Sequence, residues 1–432
     1  MTAEIAVMNR MGVALAADSA VTIGGQKIYN SASKLFTLSK YQPVGIMVYG
    51  NADLNNVPWE TIIKTFRKEL ADSRFDSLKE YSDEFIAFLS RRADQFFPVP
   101  DQKENFLKIL IGHFCEIRHI IEERVCKSNR EFSEVTSTEI RKRYKRLKEK
   151  DFLDCIITDD TTENDVVSFL YSMIEYSIGL AFEGLSLSIY DKNYLFNIGF
   201  YLFCKDWFTK QRSGIVVAGF GENDIFPSLV SLHVDFVLDN KLKYRLHSHK
   251  EVNNQISSVI FPFAQKEMVQ SFINGIDPNY MTNLVNFLVE LFAGYPDILV
   301  KNIDKITRDA GLNCQITDKQ KDNIKYKLSE INVKILDYFF KNLNNYQDNE
   351  HIRPVLDSVA FLPKDELALM AESLVNLTSF KRRISLRELE TVGGPVDVAV
   401  ISKGDGFIWI RRKHYFKPEL NHQFFENYYS EE

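Results

Sequence analysis

Thr2, Asp18, Lys34 and Gly50 are the residues of this 432-residue chain whose types could together do covalent chemistry. A threonine directly after Met1 is small enough for the initiator methionine to be removed. Removal would free an α-amine with a reference pKa of about 7.7–8. Such an amine can take the proton of its own residue's Oγ, directly or through water, so one residue supplies both nucleophile and base. The hydroxyl is still weakly acidic, and a cation beside it would help. Lys34 opens an expected strand, and Asp18 ends another and is the natural carboxylate to hold that lysine. Gly50 closes a third expected strand, where its N–H can face a developing oxyanion. A donor placed that way contributes about 3 kcal/mol. Singly, Thr2 reads as an ordinary second residue, Asp18 as a turn residue and Lys34 as a surface lysine. The combination is what points to an activated nucleophile.

The elements that must position these residues are legible in the pattern. Ile5 and Val7 alternate with polar or small neighbours, Asn9-Arg10-Met11-Gly12 supplies a turn, and Val13, Leu15 and Ala17 alternate again, which predicts a hairpin. Short strands are expected at Gln26–Tyr29, Leu35–Leu38 and Val44–Tyr49. Pro58 then opens a helix with Trp59, Ile62, Ile63, Phe66 and Leu70 on one face. Helical periodicity with many charges follows from about 71 to 190. The run GIVVAGFG from Gly214 reads as a buried strand, and Asp239-Asn240 as the turn of a second hairpin. Residues 281 to 350 are again helical. Pro363-Lys364-Asp365 starts a further helix, and Val396, Val398 and Val400 alternate into a last strand pair. Strands near both ends with helices between predict one α/β (α+β) core closed by the two termini.

Composition bounds the rest. With 45% hydrophobic and 26% charged residues the chain has ample material for a core. A net charge of −6 argues against broad affinity for nucleic acid or anionic lipid. Five cysteines at irregular spacing, with no CxxC pair, suggest neither a disulfide framework nor a zinc knuckle. With the start MTAEIAVMNRMG lacking a signal pattern, a cytoplasmic protein is expected. Val166 to Phe182, interrupted by Glu175, reads as a buried helix, and no membrane contact is expected.

The opening TAEIAVMNRMGVALAADSAVT resembles that of proteasome β subunits and of the bacterial HslV-type peptidase, members of the N-terminal-nucleophile (Ntn) hydrolase family. In that family threonine, aspartate and lysine are likewise each separated by 16 positions, as Thr2, Asp18 and Lys34 are here. SASKLFTLS and VGIMVYGNAD continue the likeness. IVVAGFGENDIFPSLVSLHVDFV, FAQKEMVQSFINGID and VGGPVDVAVISKGDGFIWIRRK are similar to later family elements. The resemblance implies a four-layer α-β-β-α sandwich and a threonine peptidase with Thr2 as nucleophile, Asp18 orienting Lys34, and Gly50 as oxyanion donor. It also implies a peptide or protein substrate, a homo-oligomer and an ATP-dependent unfoldase as partner, with no cofactor. Where the family has a Gly-Ser-Gly turn, this chain has Pro262-Phe263-Ala264. Before Gly393-Gly394, Glu388, Glu390 and Thr391 are the candidates to complete the site.

On this reading the core is split into 1–70, 191–280 and 351–415, with helical insertions at 71–190 and 281–350 and a tail at 416–432. The other readings are an amidohydrolase acting on small amides and a catalytically inactive scaffold whose insertions bind another protein. His247 and His249, alternate residues of an expected strand, share a face but lack a third ligand, and His113, Cys115 and His119 match no zinc spacing. No metal site is expected. The basic run Glu139 to Lys150 reads as a solvated helix face. The aromatic and acidic tail reads as a docking peptide or as an ordinary terminus.

Overall fold

β1 (Ala3–Asn9) and β2 (Gly12–Ala17) form the expected hairpin, and every residue of both strands is buried. Asn9 closes its turn. Its Oδ1 accepts the Met11 N–H at 2.9 Å while its Nδ2 donates to the carbonyls of Val359 and Leu362 at 2.9 and 2.8 Å. The computed structural model describes residues 3–23, 27–30, 32–127, 130–157, 162–311, 316–385 and 392–429. A small ribbon of β3 (Val21–Ile23) and β4 (Lys27–Tyr29) follows, then β5 (Leu35–Thr37) paired with β6 (Val44–Gly50). The short pair β7 (Asp53–Leu54) and β8 (Val57–Pro58) leads into α1 (Trp59–Leu70), α2 (Leu78–Arg91) and α3 (Ala93–Phe96).

Four further helices, α4 (Val99–Lys127), α5 (Phe132–Lys148), α6 (Glu163–Ala181) and α7 (Ile189–Cys204), precede the second strand region. There β9 (Ser213–Gly219), β10 (Ser228–Leu238), β11 (Lys241–Glu251) and β12 (Ser258–Ala264) follow in order. Asp239 and Asn240 both take positive φ, 54° and 55°, as the two-residue turn between β10 and β11 requires. After α8 (Glu267–Asn274) come the long helices α9 (Pro278–Asp309) and α10 (Asp318–Gln347), then α11 (Arg353–Ala360) and α12 (Lys364–Ile384). The final strand pair is β13 (Asp397–Ser402) and β14 (Gly406–Arg411), followed by α13 (His422–Tyr429).

The protein is thus mixed α/β with antiparallel sheets. One five-stranded sheet runs β12-β1-β2-β13-β14, the other β11-β10-β9-β6-β5. Ala6, Met8, Val13 and Leu15 of the first sheet pack against Met47, Val216, Ala218 and Leu229 of the second. On the far side of the first sheet, Ile5, Val7, Ala14, Ala16 and Val398 meet Leu367, Ala371, Leu374 and Val375 of α12. On the far side of the second, Ile46, Val48, Ile215 and Val217 meet Trp59, Ile63 and Phe66 of α1 and Phe85 and Phe88 of α2. Each aliphatic side chain so buried contributes roughly 1.5–3 kcal/mol, and the strands hold their register because a one-residue slip would reverse every face.

Two helices pack across the bounds read from the sequence. α2 lies inside the stretch 71–190 assigned to an insertion, yet its apolar stripe covers the second sheet. α7 starts at Ile189 and lies mostly within 191–280, assigned to the core, yet packs with α4, α5 and α6 around Phe106, Leu110, Phe114, Ile174 and Leu195, against Phe236 and Leu238 at the end of β10. Helical periodicity shows which face is apolar, not what covers it. The Val166–Phe182 stretch lies in this cluster as α6 and Phe182, with Leu170 and Ile174 fully buried. In the basic run, Arg143 of α5 pairs with Glu116 at 2.8 Å, and Glu139 accepts from Arg124.

α9 and α10 form an antiparallel hairpin clipped by Lys321–Asp304 at 2.6 Å and by Asn332 Nδ2 donating to the Phe292 carbonyl at 2.7 Å. α9 is long and apolar enough to cross a membrane, and its apolar window is only 6% buried. Phe287, Leu291 and Tyr295, with Tyr338 and Phe339 of α10, are exposed.

Candidate active site

Asp18, just past the end of β2, is fully buried and accepts from four donors. Its Oδ1 takes Lys34 Nζ at 2.7 Å and the Ala3 N–H at 3.0 Å. Its Oδ2 takes the Ala20 N–H at 3.2 Å and the Gly393 N–H at 3.1 Å. A buried carboxylate is stable only with this degree of pairing. Lys34 is 5% exposed and precedes β5, and its carbonyl accepts the Val48 N–H of β6 at 2.9 Å. The structure therefore brings Asp18 and Lys34 together as the spacing suggested, and adds a third partner. One carboxylate oxygen holds both the lysine ammonium and the peptide N–H that follows Thr2. Thr2 itself lies outside the described residues.

Gly50 ends β6, two residues beyond Val48, with φ at 86°. A Cβ there would sit 2.5 Å from the Arg212 carbonyl oxygen, so both backbone and space demand glycine. Ser213, opposite Gly50, donates from Oγ to the Asn51 carbonyl at 3.1 Å and accepts Trp59 Nε1–H at 2.8 Å, fixing the backbone just past Gly50. Gly50→Ala is expected to destabilise the fold by about 1–2 kcal/mol from the left-handed backbone alone, and further from the contact with Arg212. Denaturant midpoints measure it.

The segment before Gly393-Gly394 was expected to complete the site. Glu388, Glu390 and Thr391 lie outside the described residues. Val392 is buried with α12, and Gly393 lies against the site: its N–H reaches Asp18 and its carbonyl accepts the Ser19 N–H at 3.1 Å. Ser19 Oγ also donates to the Pro395 carbonyl. Ala264, the last residue of β12, takes φ at 59°, in the left-handed region that favours glycine.

Glu4 was not singled out by the sequence reading. It alternates with Ala6 and Met8, which pack between the sheets, and is 2% exposed with neither carboxyl oxygen hydrogen-bonded among the described residues. Burial raises its pKa well above the ordinary carboxylate range. Lys34 opposes that shift and Asp18 adds to it. The folded chain therefore keeps Glu4 protonated where the unfolded chain ionises it near about 4.3. The stability linked to this proton is full below that value and is lost as pH rises toward the folded pKa. The signal in the sequence was a lone acid in an apolar strand. Glu4→Gln should gain stability relative to the native chain between pH 4 and 7, and urea midpoints across that range would read the gain. A pH-independent difference would contradict it.

The two strand imidazoles part company. A bulge between Ser231 and Leu232 inserts a residue in β11, so His247 stacks on His233 while His249 meets Glu251 at 3.2 Å. His113 accepts from Arg143 Nε at 3.0 Å and packs edge-on against Trp207. Burial first, and Arg143 second, lower its pKa to about 3. Among the described residues no three His, Cys, Asp or Glu side chains gather as a metal set. No family model matches the chain, and no curated protein matches it by sequence.

Proposed function

We propose that the chain is an Ntn hydrolase of the proteasome β-subunit and HslV kind: a threonine peptidase on a four-layer α-β-β-α sandwich carrying two helical insertions. The observation that carries this reading is Asp18 Oδ1, which binds Lys34 Nζ and the Ala3 N–H at once. That arrangement delivers a cation to the start of β1, where a nucleophile at Thr2 needs one. The two packed five-stranded sheets with α1 and α2 outside one and α12 outside the other support the sandwich.

With Met1 removed, Thr2 Oγ adds to a peptide carbonyl carbon as its proton passes to the α-amine. The carbonyl π pair becomes the oxyanion, which the Gly50 N–H would stabilise. Collapse breaks the C–N bond, and the ammonium returns the proton to the leaving amine. Water then adds to the ester by the same base, releasing the acid and regenerating Thr2. Lys34 favours the deprotonated Oγ by its charge, and Asp18 holds Lys34 against burial. Ring assembly and an ATP-dependent unfoldase rest on the resemblance alone.

The test is a competition between short peptides and small amides as substrates. Preferential peptide turnover is expected. Turnover of small amides with peptides untouched would replace the peptidase by an amidohydrolase using the same nucleophile.

A further inference from the structure

The hairpin of α9 and α10 carries a second apolar stripe on each helix, apart from the one that joins them. At the joint, Phe292 meets Asn332, Asp304 meets Lys321 and Asp297 meets Lys325. Phe287, Leu291 and Ile298 of α9 recur at intervals of four and seven and are exposed. So are Ile331, Ile335 and Tyr338 of α10, at intervals of four and three. Phe287, Leu291, Ile331 and Ile335 each stand one residue before a buried or half-buried one: Leu288, Phe292, Asn332 and Leu336. On both helices the stripe is therefore turned by about 100° the same way from the joint, and in an antiparallel pair equal turns open to one side. The two stripes make a single face about 45 Å long, the reach of the 30 residues of α10.

The charges around this face are sorted by sign. Lys301, Lys305, Lys327, Lys334 and Lys341 stand three, four or seven residues from a stripe residue, against one acid, Glu290. None of the five lysines has a carboxylate partner among the described residues, whereas Lys321 and Lys325 at the joint both do. Asp297, Asp304, Asp322 and Asp337 each follow a buried or half-buried residue by one position and so lie toward the opposite side. The amides within the face are tied back to their own helices: Asn302 and Asn342 donate from Nδ2 to the Ile298 and Tyr338 carbonyls at 2.8 and 2.7 Å. An exposed apolar face of this extent marks a docking site. Its basic rim works against a second copy laid on the same face, since the two rims would repel. It calls for an anionic partner with an apolar layer beneath, and an anionic lipid surface has both. Lying in the surface, not spanning it, keeps the four aspartates out of the hydrocarbon. The net charge of −6 belongs to the whole chain, and the rim is locally basic.

We propose that the α9–α10 hairpin lies flat on anionic membrane surfaces, its apolar face at the headgroup boundary and its rim lysines among the lipid phosphates. This docking goes beyond the peptidase reading and needs no nucleophile. The experiment is co-sedimentation of the full chain with vesicles of phosphatidylglycerol and, separately, of phosphatidylcholine. Binding to the first should be at least about tenfold tighter, as several lysines near a charged surface warrant. Lys301→Glu with Lys305→Glu should erase most of that difference. Phe287→Ser with Leu291→Ser should abolish sedimentation, because the apolar face anchors the hairpin. Val333→Ser, at an exposed apolar residue one position after Asn332 and hence toward the opposite side, should leave it intact. All the substituted residues are exposed, so every variant should keep the native thermal midpoint. No sedimentation with either vesicle, equal binding to both, or binding that survives the paired serine substitution overturns the proposal. So does a lipid-free, concentration-dependent dimer that the serine pair dissolves, which would give the face to a second copy.

Discussion

Asp18→Ala will abolish turnover and cost the fold roughly 3–5 kcal/mol, the penalty for breaking a buried ion pair from one side. The substitution strands the Lys34 ammonium at 5% exposure and leaves the Ala3, Ala20 and Gly393 N–H groups without their acceptor. Because Gly393 is 375 positions away in sequence, the loss also loosens the contact between the two ends of the chain. Asp18→Asn separates the two effects. Its amide keeps the shape and an acceptor, so most stability should remain, while Lys34 loses the charge that holds it. kcat should then fall by about a thousandfold, the scale of losing one preorganised electrostatic contribution. Denaturant midpoints and peptide turnover on the same samples give both numbers. Native turnover in Asp18→Asn would mean that Lys34 needs no such holding.

Thr2→Ala should lower kcat on the order of 10⁴-fold or more, as removal of a covalent nucleophile does. Alanine is as permissive as threonine toward removal of Met1, so the α-amine survives and only Oγ is lost. Thr2→Ser keeps a hydroxyl and should keep measurable turnover. Alanine and serine variants that behave alike would show that Oγ takes no part.

Much of the core was legible in the sequence because its signals are local. Alternation in Ile5, Val7, Val13, Leu15 and Ala17 fixes a period of two, and Asn9 closes the turn through hydrogen bonds partly within the hairpin. Asp18 and Lys34 were legible as types at a spacing, and the structure joins them at 2.7 Å. What escaped depends on distant partners. Glu4 became notable only when the packed sheets left its carboxyl without a hydrogen bond among the described residues. α2 and the helices α4 to α7 share one kind of periodicity, and only the partners each one packs against distinguish them. The parting of His247 from His249 follows from a one-residue bulge against β10, which no pattern within β11 announces. Gly393 reaches Asp18 from the far end of the chain, a contact that residue spacing alone does not reveal.

The most direct measurement is mass spectrometry of the N-terminal peptide, with and without an electrophile that traps N-terminal threonine. Loss of Met1 with an adduct on Thr2, weakened in Asp18→Asn, is the expected result. A retained Met1 with no adduct would leave the Asp18–Lys34 pair as a structural ion pair and contradict the nucleophile.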